Sequence, residues 1–156
     1  MIPRSMSMAV LVAALAFGSL AFADTAETVA AQRQAHFKQL GGLFKAINDE
    51  LRKAQPDRSI VEADAARLKD LAAQLPSWFP RGSGPGDGMK TDAKRSIWAD
   101  PAGFAAATTR LKAETTKLDM LSTTGDLPQI GAQVRAVGSA CKNCHEQYRR
   151  MSLPMF

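Results

Sequence analysis

The chemistry in this sequence is concentrated in five residues near its C-terminal end, Cys141-Lys142-Asn143-Cys144-His145. The spacing C-x-x-C-H is the attachment signature of c-type haem. On a helix, thiols three residues apart share a face, so both can form thioethers to the haem vinyl groups, while the imidazole one step on is directed at the iron. A structural disulfide or a thiol–disulfide redox pair between Cys141 and Cys144 would leave His145 without a task. A redox C-x-x-C is also expected at a strand-to-helix junction, and here it falls within a helical pattern. A tetrahedral zinc site needs four ligands, and beyond these three the sequence offers only His36.

Holding such a motif requires a core, and 156 residues suit one domain. The N-terminus has one basic residue, Arg4, then an apolar stretch from Met8 to Phe22, then Ala21-Phe22-Ala23 before Asp24. That order is the order of a secretory signal, with cleavage expected after Ala23. The apolar run is shorter than the roughly 20 residues of a spanning helix, so a retained anchor is the weaker reading and no membrane association is expected after cleavage. The expected organisation is therefore a signal peptide, 1–23, and a periplasmic domain, 24–156, in an oxidising compartment.

The whole chain has 20 Lys and Arg against 15 Asp and Glu. Loss of 1–23 removes Arg4 and no acid, which leaves 19 against 15 and a surplus of four. The basic residues are scattered along helices, apart from Arg149-Arg150, so no nucleic-acid footprint is indicated. A mild positive surface is read first as an ordinary solvated one, with docking to acidic partner proteins as the alternative.

Four segments carry helical signals. From Ala26 to Lys53, Val29, Phe37, Leu40, Leu43, Phe44, Ile47 and Leu51 recur at three- and four-residue steps, and Pro56 stops the run. Ser59 with Glu62 reads as a capping box for a second helix lined by Val61, Leu68, Leu71, Ala72 and Leu75, which Pro76 closes. Residues 76–100 form a glycine- and proline-rich loop, long enough to lie over a cofactor. Asp100 and Pro101 then cap a third helix that buries Phe104, Leu111, Leu118 and Leu121 and ends at Gly125. Asp126 with Gln129 caps a fourth, lined by Ile130, Val134, Val137, Cys141 and Tyr148 and running to about Met151. The pattern predicts an all-α, antiparallel up-down-up-down four-helix bundle, with the haem motif on its last helix.

A haem motif at the C-terminal end of four helices resembles the class II c-type cytochromes, the family of cytochrome c-prime and its low-spin relatives. The likeness spans nearly the whole of 24–156 and includes Arg33-Gln34, Leu75-Pro76, Ile97-Trp98-Ala99-Asp100, Gly125-Asp126-Leu127 and Cys141 to Arg149. Only the haem motif is specific by itself; the shared order carries the rest. The resemblance implies one covalent haem c on Cys141 and Cys144, with His145 as proximal ligand. It places Arg149 beside the proximal imidazole, on the same helical side four residues on, and Arg33 and Gln34 near the propionates.

In low-spin members a methionine four residues after the first-helix arginine binds iron, and here that position is Phe37. The resemblance therefore implies five-coordinate iron with a crowded distal face that admits a diatomic gas. His36 adjoins Phe37 but points about 100° away on a helix, toward an interface or solvent. Met120 is expected to pack, and Met89 to sit in a mobile loop, while Met151 and Met155 are the other methionines of 24–156. For Trp78 and Trp98 the alternatives are packing near the haem and anchoring the core, and core anchoring is the reading taken. Two functions stay open: electron transfer with redox partner proteins, or nitric oxide or carbon monoxide binding. With no separate acid–base or nucleophile set beside the haem motif, an enzyme is not expected. The family likeness suggests a homodimer through the first two helices.

Overall fold

The computed structural model describes residues 19–150, with side chains from residue 28 onward. The expected signal cleavage site, Met151 and Met155 lie outside the fully described residues. Four long helices form the bundle: α1 (Ser19–Leu51), α2 (Arg58–Gln74), α4 (Pro101–Thr124) and α5 (Leu127–Tyr148), with a single-turn α3 (Ser96–Ala99) ahead of α4. Consecutive long helices pack side by side, and α1 meets α5 over a much shorter stretch than the other neighbouring pairs. Among the described residues no helix is long and apolar enough to cross a membrane.

The helical stripes read from the sequence are the stripes that face inward. Leu40 and Ile47 of α1, Val61, Ala65, Leu68 and Ala72 of α2, Leu111 and Leu118 of α4, and Ile130, Val134, Val137 and Ala140 of α5 form one buried cluster. Polar residues inside it are satisfied. Thr115 is fully buried and its hydroxyl donates to the Leu111 carbonyl at 3.0 Å, and Gln133 donates to Glu114 Oε2 at 2.7 Å.

Caps fix where each helix begins. Asp100 accepts from Gly103 N at 2.9 Å, and Asp126 accepts from Gln129 N at 2.8 Å while the Gln129 side chain accepts from Asp126 N at 2.9 Å, the reciprocal arrangement of a capping box. For α2 the expected Ser59–Glu62 box is replaced by Asp57, which accepts from Ser59 N at 2.9 Å. Glu62 instead pairs with Arg58 at 3.4 Å. Arg58 also donates to Ser122 O at 2.9 Å and to Gly125 O, pinning the start of α2 to the end of α4. α5 stops at Tyr148, earlier than expected, and the first helix begins earlier, at Ser19.

Replacing Asp126 with Ala removes the cap of the helix that carries the haem motif. We expect a loss of about 1 kcal/mol, read as a lower urea midpoint at unchanged slope.

Candidate functional site

Cys141 and Cys144 are free thiols on α5, half-buried and packed against the hydrophobic cluster. Burial pushes the Cys141 thiol up to about 11, with the neighbouring Cys144 adding to it, and burial raises Cys144 as well. The His145 imidazole is held below its ordinary value, first by burial and then by the Arg149 charge. Both effects favour the neutral imidazole, the form that ligates a metal. Farther up the same helix, a Cβ on Gly138 would stand 3.3 Å from Phe44 Cζ, so a bare glycine leaves room for the Phe44 ring of α1 just before the motif.

Arg149 is not on the helix. It is the extended residue after α5, and its N–H donates to the His145 carbonyl at 3.0 Å. Its side chain is exposed, and its charge reaches His145 from beyond the helix end rather than from a shared helical face. The chain there is strapped to the loop. Ala93 and Arg149 form an isolated antiparallel bridge, Lys94 N donates to Tyr148 O at 2.8 Å, and Arg150 N donates to Asp92 O at 2.7 Å.

The loop between α2 and α4 is built rather than slack. It contains a 3₁₀ turn at Leu75–Trp78, another at Pro85–Asp87, and α3. Met89, expected in a mobile loop, is buried, whereas Met120, expected to pack, is 54% exposed. Gly82 has φ +78°, a left-handed conformation that glycine adopts without penalty. A Cβ on Gly84 would lie 3.0 Å from the Trp98 ring, so the loop folds tightly over that indole.

Arg33 holds this loop from within. It is 4% exposed. Its Nε donates to Trp78 O at 2.8 Å, and Nη2 to Ser83 O at 3.1 Å and Ser83 Oγ at 2.5 Å. Nη1 reaches Thr91 Oγ1 at 3.5 Å, and the guanidinium lies 4.4 Å from the Phe79 ring centroid. Burial lowers its pKa from the usual arginine value; a guanidinium in a protein keeps its proton and donates from all its nitrogens. Gln34, one residue on, is exposed.

Aromatic rings join the loop to three helices. Phe37 of α1 meets Trp78 edge-on at 5.1 Å and Phe79 at 6.1 Å. Phe79 meets Phe104 of α4 at 4.9 Å, and Phe104 meets Tyr148 of α5 at 5.3 Å. His36 stacks flat on Trp78 at 4.8 Å, with its Nδ1 buried and unpartnered. It lines a cavity of about 250 Å³ with Gln32, Arg33, Gln74 and Ser77. Trp78 thus receives both His36 and Phe37, neighbours that the sequence placed on different faces.

Two free thiols and an imidazole biased toward its neutral form, on a bundle helix that meets α1 over only a short stretch, are a fitting donor set for a covalently attached porphyrin. Fold and donors together define a c-type cytochrome with its haem motif on the last helix of a four-helix bundle. The comparisons agree. The profile described as Cytochrome C' matches residues 28–149. A cytochrome c' of Rubrivivax gelatinosus is 35% identical over 118 residues, covering 75% of this chain and 90% of that protein. One from Rhodospirillum rubrum is 29% identical over 149 residues, covering 94% and 98%. The crystal structure of the Rubrivivax gelatinosus protein superposes with TM-score 0.72 at 30% identity, over 80% of this chain and 97% of that one. A nitric oxide complex of a cytochrome c prime mutant from Alcaligenes xylosoxidans gives TM-score 0.73 at 27% identity, covering 81% and 97%. The chain belongs to the cytochrome c′ family, whose members bind a single covalent haem c.

Arg33→Lys keeps the charge but loses the planar fork that serves two carbonyls and two hydroxyls. We expect about 2 kcal/mol lower stability of the holoprotein in urea unfolding, since hydrogen bonds to a charged group contribute about 1.5–3 kcal/mol. Faster proteolysis within residues 79–95 is expected with it.

Proposed function

We propose that this chain is a periplasmic electron carrier, attached to one haem through Cys141 and Cys144, with His145 as the proximal ligand and a sixth position free of any protein ligand. Haem c supplies a one-electron ferric–ferrous couple and an iron that can take a diatomic gas. The observation that carries the reading is the first-helix register. Phe37 stands where a ligating methionine would be expected, and its ring is fixed against Trp78 and Phe79. His36 is engaged face-on with Trp78, which favours Phe37 over His36 as the distal residue.

The remaining side chains have defined parts in this reading. Arg149 biases His145 toward its neutral form. Gln34, being exposed, is available to a propionate, and Arg33 offers Nη1, whose bond to Thr91 is its longest. We propose no turnover, because the reading assigns no acid–base pair to a substrate. Residues 1–23 act as the cleaved leader that delivers the chain to the periplasm, and self-association through α1 and α2 belongs to the same reading.

A second reading, nitric oxide or carbon monoxide binding as the main role, draws on the nitric oxide complexes of the Alcaligenes xylosoxidans relative. It shares the open sixth position and differs in whether a redox partner is needed.

Absorption spectra in both oxidation states, with and without carbon monoxide, test the coordination. The ferrous holoprotein should be high-spin and respond to carbon monoxide, whereas Phe37→Met should give a sharp low-spin alpha band and a weakened response. A sharp low-spin band in the unmodified protein would overturn the open site. Mass spectrometry of Cys141→Ser together with Cys144→Ser should show loss of the attached porphyrin.

A further inference from the structure

The net positive charge of residues 24–156 is carried by two segments that meet at the end of α5. Residues 24–156 contain 19 basic and 15 acidic residues. Segments 90–95 and 142–150 contain six of the basic ones, Lys90, Lys94, Arg95, Lys142, Arg149 and Arg150, and only two acids, Asp92 and Glu146. The rest of 24–156 has thirteen of each sign and is neutral.

The two segments lie side by side at the end of α5. The Ala93–Arg149 bridge and the Lys94 N to Tyr148 O and Arg150 N to Asp92 O bonds sew them together. Lys94 Nζ donates to Glu146 O at 2.7 Å, and Lys142 Nζ lies 3.8 Å from the Glu146 carboxylate. Arg150 donates to Thr91 O. Except for Lys142, none of the six has an ion-pair partner among the described residues. At the opposite end of the bundle the pattern reverses. Lys45 and Arg52 both pair with Asp49, Lys53 pairs with Glu50 at 2.6 Å, and Arg58 pairs with Glu62. Cations there are neutralised locally, and those beside the haem motif are left to project a field into solvent. Lys142 is itself inside the motif, between the two cysteines.

We propose that this surface, bounded by Lys90, Lys94, Arg95, Lys142, Arg149 and Arg150, is the docking face for an acidic redox protein. The inference rests on the electron-carrier reading and adds where, and to what kind of partner, the electron passes. An acidic partner steered here arrives beside the α5 motif, where an electron has the shortest distance to cross. Steering of this kind raises association rates by about 10- to 1,000-fold and fades with salt. Backbone bonds hold residues 92–94 beside 148–150, so a partner meets Lys94, Arg149 and Arg150 on a pre-arranged segment pair.

The test is stopped-flow reduction of the ferric holoprotein by reduced flavodoxin, a small acidic one-electron donor, and by photoreduced lumiflavin, a neutral one. With flavodoxin the second-order rate should fall about tenfold or more between low salt and 0.5 M salt, where the screening length shrinks to a few ångströms. Lys90→Gln with Arg95→Gln should slow it about fivefold at low salt. Lys45→Gln with Arg52→Gln removes the same two charges at the far end and should change it by less than about twofold. Lumiflavin should reduce all three proteins alike. Equal slowing by the two double variants, or a salt-independent flavodoxin rate, overturns the docking face while leaving the carrier reading intact. Failure of both donors to reduce the unmodified protein overturns the carrier reading and the docking face with it.

Discussion

A guanidinium buried to 4% exposure has to replace every hydrogen bond it gave up to water, and Arg33 does so by drawing the loop inward. Its donors meet carbonyls of Trp78 and Ser83 and the hydroxyls of Ser83 and Thr91, residues spread over the whole first part of the connection between α2 and α4. The loop's path is therefore dictated from α1. Once Trp78 and Phe79 are set by that path, they set Phe37, His36, Phe104 and through it Tyr148. The surroundings of the haem motif descend from one charge that must not be left unsatisfied.

This arrangement separates two demands on the same end of the bundle. Inside, the rings of Phe37, Trp78, Phe79 and Phe104 pack against one another and make an apolar wall beside α5. Outside, the strap between 92–94 and 148–150 gathers lysines and arginines that burial would have penalised. The strap is what lets an apolar interior and a charged exterior lie within a few residues of each other on α5.

Much of the bundle was legible in the sequence because helix stripes and caps are local. Asp100 and Asp126 announced the starts of α4 and α5, and the C-x-x-C-H run identified its own chemistry. The misreadings came where two local signals competed or a distant segment decided. Asp57 and Ser59 are both competent caps, and Arg58, drawn to Ser122 and Gly125 across the bundle, favours the start at Asp57. Arg33 looked like a surface or cofactor-facing arginine, since bonds to carbonyls 45 and 50 residues away leave no mark in a sequence. Arg149 was assigned to a helical face that ends one residue before it, because the pairing of 93 with 149 has no strand pattern to betray it. Met120 and Met89 exchanged roles for a similar reason: apolar character alone does not say which side of a helix, or which fold of a loop, meets the core.

Helix ends ordinarily fray, because their last carbonyls have no amide to meet. At α5 the final carbonyl of the helix, that of Tyr148, is taken by Lys94 N–H, and the chain beyond it is clamped by Arg150 to Asp92. The terminal turn, which contains the imidazole, thereby loses the looseness of a chain end and shares the rigidity of a segment anchored on both sides. A metal bound there through one side chain would sit on a mount that resists tilting, so its coordination geometry is set by the protein's tertiary structure rather than by the last turn of a helix alone.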